Sequence, residues 1–234
     1  MGGKVKTNHD KGSVAPVPHK RKVRLLLWGG AYSTSDNFTF DWAVRNVTKD
    51  YREGDKNKYE IVSKKIGSAD ELIAIINGQE ADSIRSIDLF THGGPGNFYM
   101  VSVRSYTDGG LNKFRWYRYV FHNESFSRSD LQKLKWDRFA DNAKVEFHGC
   151  KTAENPRDED NIAADFSKRL YDAGKTKSVV IGHIINATPS INGEGKTDSK
   201  AQDYRHGPRA IFKNGKLTSQ TSQKGAIDEG ALEK

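Results

Sequence analysis

Short apolar runs alternate along this chain with stretches in which apolar residues recur every three or four positions. Val23-Arg24-Leu25-Leu26-Leu27-Trp28 is nearly continuous and is stopped by Gly29-Gly30, the pattern of a buried parallel strand emptying into a tight loop. Phe40, Ala43, Val44 and Val47 then fall at helical spacing and predict a helix that ends before Glu53-Gly54. Tyr59 to Ser63 predicts a short second strand. Ser68 opens a second helix, where Glu71, three residues on, completes a capping box. Leu72, Ile73, Ile75 and Ile76 form its buried face, and Gly78 stops it. A third apolar run, Ile87-Asp88-Leu89-Phe90-Thr91, leads straight into His92-Gly93-Gly94-Pro95-Gly96.

Phe98 to Tyr106 and Lys113 to Phe121 flank Thr107-Asp108-Gly109-Gly110, a strand-turn-strand signal. Ser129-Asp130-Leu131 predicts a helix containing Leu131, Leu134 and Phe139. Val145-Glu146-Phe147 is a further strand and empties into His148-Gly149-Cys150. After a polar loop from Lys151 to Glu159, Ile162, Ala163, Phe166 and Leu170 mark one side of a helix, with Gly174 just past its end. Ser178 to Ile181 reads as a buried strand, and Asn214-Gly215 is a hairpin turn between Ala210 to Lys213 and Lys216 to Thr218. Strands alternating with helices imply right-handed crossovers. The expected fold class is therefore α/β, a three-layer sandwich with a mostly parallel central sheet flanked by helices and carrying β-hairpin insertions. Residues 1–21 lack any apolar period and read as a disordered basic arm. Residues 22–218 read as a single domain, and residues 219–234 as a mobile tail.

Composition narrows this picture. At 234 residues, with 35% apolar and 29% charged positions and no break in the middle, one domain is favoured over two. No run has the length of a membrane-spanning helix. The first 21 residues lack the apolar block of a secretory signal, so the expected location is cytoplasmic, or outside the cell by a route that needs no signal peptide. Gly29-Gly30 supplies neither the spaced glycines of a dinucleotide loop nor the Gly-Lys-Ser of a nucleotide loop, and no cofactor is expected. The net charge of +8 supports a different class, because Phe114, Arg115, Trp116, Tyr117, Arg118, Tyr119 and Phe121 interleave rings with cations as in a surface that binds nucleic acid. A hairpin packed over the sheet has the same composition.

The candidate chemistry lies at two strand ends. His92 and the only cysteine, Cys150, both follow apolar runs, which puts them at the carboxyl edge where open α/β sheets bind ligands. A thiol becomes a useful nucleophile when a base can reach it, and histidine is the usual base. Gly93, Gly94 and Gly96 leave room for a substrate backbone and for inward-pointing N–H groups. His148, two residues before the thiol, raises a zinc reading, but one cysteine without a compact set of further ligands argues against a metal site. Tuning the thiolate and simple packing remain open for His148. His183 either lines the same cleft or caps its strand. Glu154, Asp158, Glu159 and Asp160 either form an acidic pocket for a basic side chain or sit at a helix start, where the dipole favours negative charge.

An apolar strand ending in His-Gly, followed by one ending in a small residue and cysteine, resembles the caspase-haemoglobinase fold (clan CD) of cysteine peptidases. That superfamily includes caspases, legumains, gingipains, the clostripain group, toxin autoprocessing proteases and CHAT domains. The step from His92 to Cys150 is close to the roughly 50 residues of the caspase pattern, and the likeness spans about Lys22 to Ala187. The caspase signature Gln-Ala-Cys is missing: His148 and Gly149 precede the thiol, and Lys151-Thr152-Ala153 follow it. The resemblance implies hydrolysis of a protein or peptide substrate, with Cys150 as nucleophile and His92 as general acid and base. It further implies an oxyanion hole from the N–H groups of Gly93 and Cys150, and a candidate substrate pocket around Gly94, His148, Glu154 and His183. An effector or toxin role, and an inactive interaction protein of the same shape, are both compatible with it.

Overall fold

The computed structural model describes residues 21–29, 34–104, 120–191, 198–228 and 232. The basic arm, apart from its last residue, and the aromatic-basic stretch 114–119 lie outside the described residues. The elements are β1 (Val23–Trp28), α1 (Thr34–Asp55), β2 (Glu60–Lys65), α2 (Ala69–Asn77), β3 (Ile84–Phe90), β4 (His92–Gly93), β5 (Asn97–Arg104), β6 (Val120–Ser127), β7 (Phe139–Phe147), α3 (Ile162–Asp172), β8 (Val179–His183), β9 (Arg209–Lys213) and β10 (Lys216–Thr221).

Seven strands form one sheet in the order β10-β9-β8-β7-β3-β1-β2. The pairs from β2 through β8 are parallel, and β9 and β10 close the far edge antiparallel. Leu25 and Leu27 of β1 point to one face and Leu26 to the other, as the period of two requires. On the first face they join Ile87, Leu89, Val145, Phe147 and Val180, covered by Leu72 and Ile76 of α2 and Phe166 and Leu170 of α3. On the second, Leu26 and Phe90 meet Phe40, Ala43, Val44 and Val47 of α1. This is the three-layer α/β sandwich expected, with helices on both faces of a mostly parallel sheet.

The hairpin insertion also exists. β4, β5 and β6 form a separate antiparallel sheet in which His92 lies opposite Tyr99 and Gly93 opposite Phe98. The hairpin therefore grows directly out of the histidine motif. At the other end of the chain, Asn214 (φ 54°) and Gly215 (φ 78°) both take positive φ, as a two-residue hairpin turn needs.

Four local expectations are corrected. The helix predicted from Ser129 is replaced by two 3-10 turns, Arg128–Lys133 and Trp136–Arg138, and Phe139 opens β7. Leu131 and Leu134 are buried, but the five-residue step to Phe139 breaks the helical stripe. Phe139 instead stacks with Trp136 at 5.6 Å and meets Phe166 edge-on. Helix α1 continues through Glu53-Gly54 to Asp55. At α2 the Ser68 hydroxyl accepts from the Glu71 N–H at 3.1 Å, while Glu71 reaches back one residue further than a capping box, to the Gly67 N–H at 2.7 Å. Finally, the stretch expected to be a mobile tail contributes to packing: β10 runs to Thr221, and Ile227 and Leu232 are buried against Val179, Ile181 and Ile211.

Candidate active site

Strands β3 and β7 are neighbours, with Leu89 in register with Phe147. The pairing continues one residue past β7, where the His148 N–H donates to the Leu89 carbonyl at 2.9 Å. The two chains then leave the sheet together. A Cβ placed on Gly93 would lie 3.1 Å from both the Cys150 carbonyl oxygen and the Gly149 Cα, and one on Gly149 would lie 3.2 Å from the Gly93 Cα. Both glycines are needed because the two backbones touch where a side chain would stand. The sheet thus delivers the His92-Gly93 and Gly149-Cys150 turns to one place.

Each turn is held by its surroundings. The Gly94 N–H donates to the Asn97 carbonyl at 2.9 Å, the Pro95 carbonyl accepts from the Ile162 N–H at 2.7 Å, and the Gly96 carbonyl accepts from the Arg128 N–H at 3.1 Å. The histidine loop is thereby tied to the first residue of α3. The His92 ring is partly buried and stands edge-on to Phe40, with centroids 5.5 Å apart. Gly94 faces Tyr99, whose hydroxyl would be 3.3 Å from an added Cβ.

On the cysteine side, Cys150 is partly buried, and its Sγ lies 3.8 Å from the Ala187 carbonyl oxygen. Lys151 follows in the left-handed region (φ 57°), and its N–H donates to the Ile185 carbonyl at 3.0 Å. Such a conformation is unfavourable for a residue with a Cβ and is kept only where neighbours enforce it. Thr152, fully buried, is one of those neighbours. Its hydroxyl donates to the Gly149 carbonyl at 3.2 Å and accepts from the His183 N–H at 3.1 Å. The Ala153 N–H donates to the His183 carbonyl at 2.8 Å, so β8 grips the turn on both sides of that hydroxyl.

Three of the acids after the thiol are engaged in ion pairs. Glu154 pairs with Lys151 at 2.9 Å, Glu159 pairs with Lys216 at 2.6 Å and accepts from the Leu217 N–H, and Asp160 pairs with Arg128. Asn161 caps α3 by accepting from the Ala164 N–H at 3.0 Å.

His148 and His183 are each 1% exposed, and their rings lie 6.5 Å apart at the ends of adjacent strands. His183 is pushed down to about 3, first by burial and then by His148, against the opposing pull of Glu146. Its ring is therefore neutral in the fold through mild acid. Below its ordinary value of 6.5 the unfolded chain takes up a proton that the fold refuses until about pH 3, so stability is complete above that window and falls as pH drops through it. The full slope for one such group is about 1.4 kcal/mol per pH unit. His206, also lowered chiefly by burial, adds to it. His183→Gln should flatten the loss of stability between about pH 6 and 5, measured as urea midpoints; an unchanged slope would show that another group carries it.

Sequence reasoning missed Asp88 and Tyr51. Asp88, 1% exposed, accepts from the Tyr51 hydroxyl at 2.7 Å and from the ring Nε2 of His148 at 3.0 Å. Burial alone would raise its carboxyl, but His148 and Lys144 hold it below the usual range. Asp88, Glu146 and His148 offer ligand atoms within 4.8 Å of one another. Protein donors already face the two carboxylates, since Asp88 accepts from Tyr51 and His148 and Glu146 meets Lys144 at 3.0 Å and Arg209 at 2.5 Å. The readable signal was a carboxylate set between Ile87 and Leu89 in an otherwise apolar strand.

No family model matches the chain, and no curated protein matches it. Among solved structures, the chain is similar to a secreted C11 cysteine protease from Bacteroides thetaiotaomicron in complex with an irreversible peptide inhibitor. That similarity has 10% sequence identity and a TM-score of 0.42, and it covers 83% of this chain and 67% of that one.

Proposed function

We propose that this protein is a cysteine peptidase. The Cys150 thiol gives its proton to His92 as its sulfur attacks the carbonyl carbon of a peptide bond, and the carbonyl oxygen, now negative, is received by the backbone N–H groups of Gly93 and Cys150. His92 gives a proton to the departing amine as the C–N bond breaks. It then takes a proton from the water that hydrolyses the thioester and restores the thiol. The observation that carries this reading is the backbone contact between Gly93 and Gly149, which sets the histidine and cysteine turns side by side at the carboxyl edge of the sheet. Such an edge is where α/β proteins place their ligands, and a thiol there needs a base within reach.

The ion pairs of Glu154, Glu159 and Asp160 with Lys151, Lys216 and Arg128 favour a structural role for those acids over a pocket for basic side chains. Iodoacetamide labelling of the native protein tests the nucleophile. Cys150 should alkylate before any denaturant is added and faster than free glutathione at the same pH. A thiol that reacts only once the chain is unfolded would refute the assignment.

A further inference from the structure

The two faces of the sheet differ in a way the fold alone does not require. Toward α2 and α3, strands β3 and β7 present Ile87, Leu89, Val145 and Phe147. Toward α1, the same strands present Ser86, Asp88, Lys144 and Glu146, followed one residue past β7 by His148, all buried at 3% exposure or less. Replacing buried ion pairs by apolar groups is often neutral or stabilising, and the apolar face shows that this sheet can be packed that way. A retained polar set of this kind is a candidate for function, and its last member lies two residues before Cys150.

Its geometry is a chain of contacts. The Tyr51 hydroxyl of α1 donates to Asp88 Oδ2, and His148 Nε2 meets Asp88 Oδ1. A carboxylate only accepts, so the proton of that second bond belongs to Nε2. The His148 ring is stacked on Phe90 with centroids 4.1 Å apart and planes at 14°, and its backbone N–H is held by Leu89. Rotation and tilt of the ring are both fixed. Charged and titratable groups around it are Asp88 from β3, Tyr51 from α1, Lys144 and Glu146 from β7, His183 from β8 and Arg209 from β9.

We propose that His148, anchored by Asp88 and Tyr51, is a positioning residue that fixes the Gly149-Cys150 turn and so the presentation of the Cys150 sulfur to its reaction partner. The proposal deepens the peptidase reading, on which it rests for its purpose. Ring and turn are covalently adjacent, so a ring that cannot rotate holds the peptide planes that orient the sulfur and the Cys150 N–H.

The experiment is the iodoacetamide rate of the native protein at fixed pH, with the thermal midpoint recorded beside it. In His148→Ala and Asp88→Ala the rate should fall about tenfold. His148→Gln, which keeps an N–H near the position of Nε2, should stay close to the parent. If the alanine variants fail to fold, Tyr51→Phe removes only the hydroxyl bond and should lower the rate in the same direction. A rate that stays fixed while the thermal midpoint falls would make the chain of contacts purely structural and overturn the proposal. A parent thiol no faster than free glutathione whose rate still falls in the variants would refute the peptidase and keep the positioning role, whereas a fast parent that ignores the variants would do the reverse.

Discussion

Cys150→Ala should lose all measurable peptide hydrolysis and keep the fold. The sulfur is partly buried and approaches the Ala187 carbonyl only at 3.8 Å. A thiol is a weak donor, so the substitution should alter stability by about 1 kcal/mol or less. The backbone of the turn is held by Thr152, by Lys151 through Ile185, and by Ala153 through His183, none of which involves the sulfur. His92→Ala should lower kcat/KM by about two to four orders of magnitude, the usual range for a positioned acid and base. Cys150 should remain open to alkylation in that variant. Peptide kinetics and thermal unfolding on the same preparations check both statements. A Cys150→Ala protein that hydrolyses peptides at the parental rate would end the account.

The second large effect is on stability. Glu146→Gln should destabilise the protein by about 3 to 5 kcal/mol, as when one partner of a buried ion pair is removed. Glu146 is fully buried between Lys144 at 3.0 Å and Arg209 at 2.5 Å. Burial would raise its carboxyl, but Lys144 and His148, followed by Arg209, hold it far below the usual range. The amide neutralises the charge that lets two buried cations stay ionised. Arg209 also donates to the Gln223 carbonyl at 2.6 Å, so the strain should spread to the chain beyond β10. Replacing the set together, as Lys144→Met, Glu146→Leu and Arg209→Met, should recover most of the loss, because no unpaired charge remains. Urea unfolding of the single and triple variants decides. A triple variant weaker than Glu146→Gln would mean that the ions contribute net stability.

Much of this architecture could be read from residue order. The bounds of β1 were legible because an apolar run beside two glycines admits few alternatives, and the turn at Asn214-Gly215 because both positions need positive φ. The meeting of the His92-Gly93 and Gly149-Cys150 turns followed from strand ends alone, since parallel neighbours share one carboxyl edge. Where tertiary partners decided the outcome, reading failed. Leu131 and Leu134 are apolar and buried, yet the segment folds into short turns, with Trp136 stacked on Phe139, instead of a helix. The chain beyond Thr218 looked polar enough to be free, but Ile227 and Leu232 find a site on Val179 and Ile211. Asp88 and Tyr51 were missed for a related reason: 37 positions separate them, and a hydrogen bond across α1 and β3 leaves no local pattern. Ser86 with Asp88, and Lys144 with Glu146 and His148, did share a strand parity. Polar residues of both signs at matching parity on neighbouring apolar strands are a readable sign of a buried ion network.

The most direct measurement is acid quenching of the protein during turnover of an activated peptide ester, followed by mass spectrometry. The account predicts an added acyl mass on the fragment that contains Cys150, longer-lived in His92→Ala, where water has lost its base. Hydrolysis that proceeds with no acyl adduct, or with the adduct on any other residue, would contradict it.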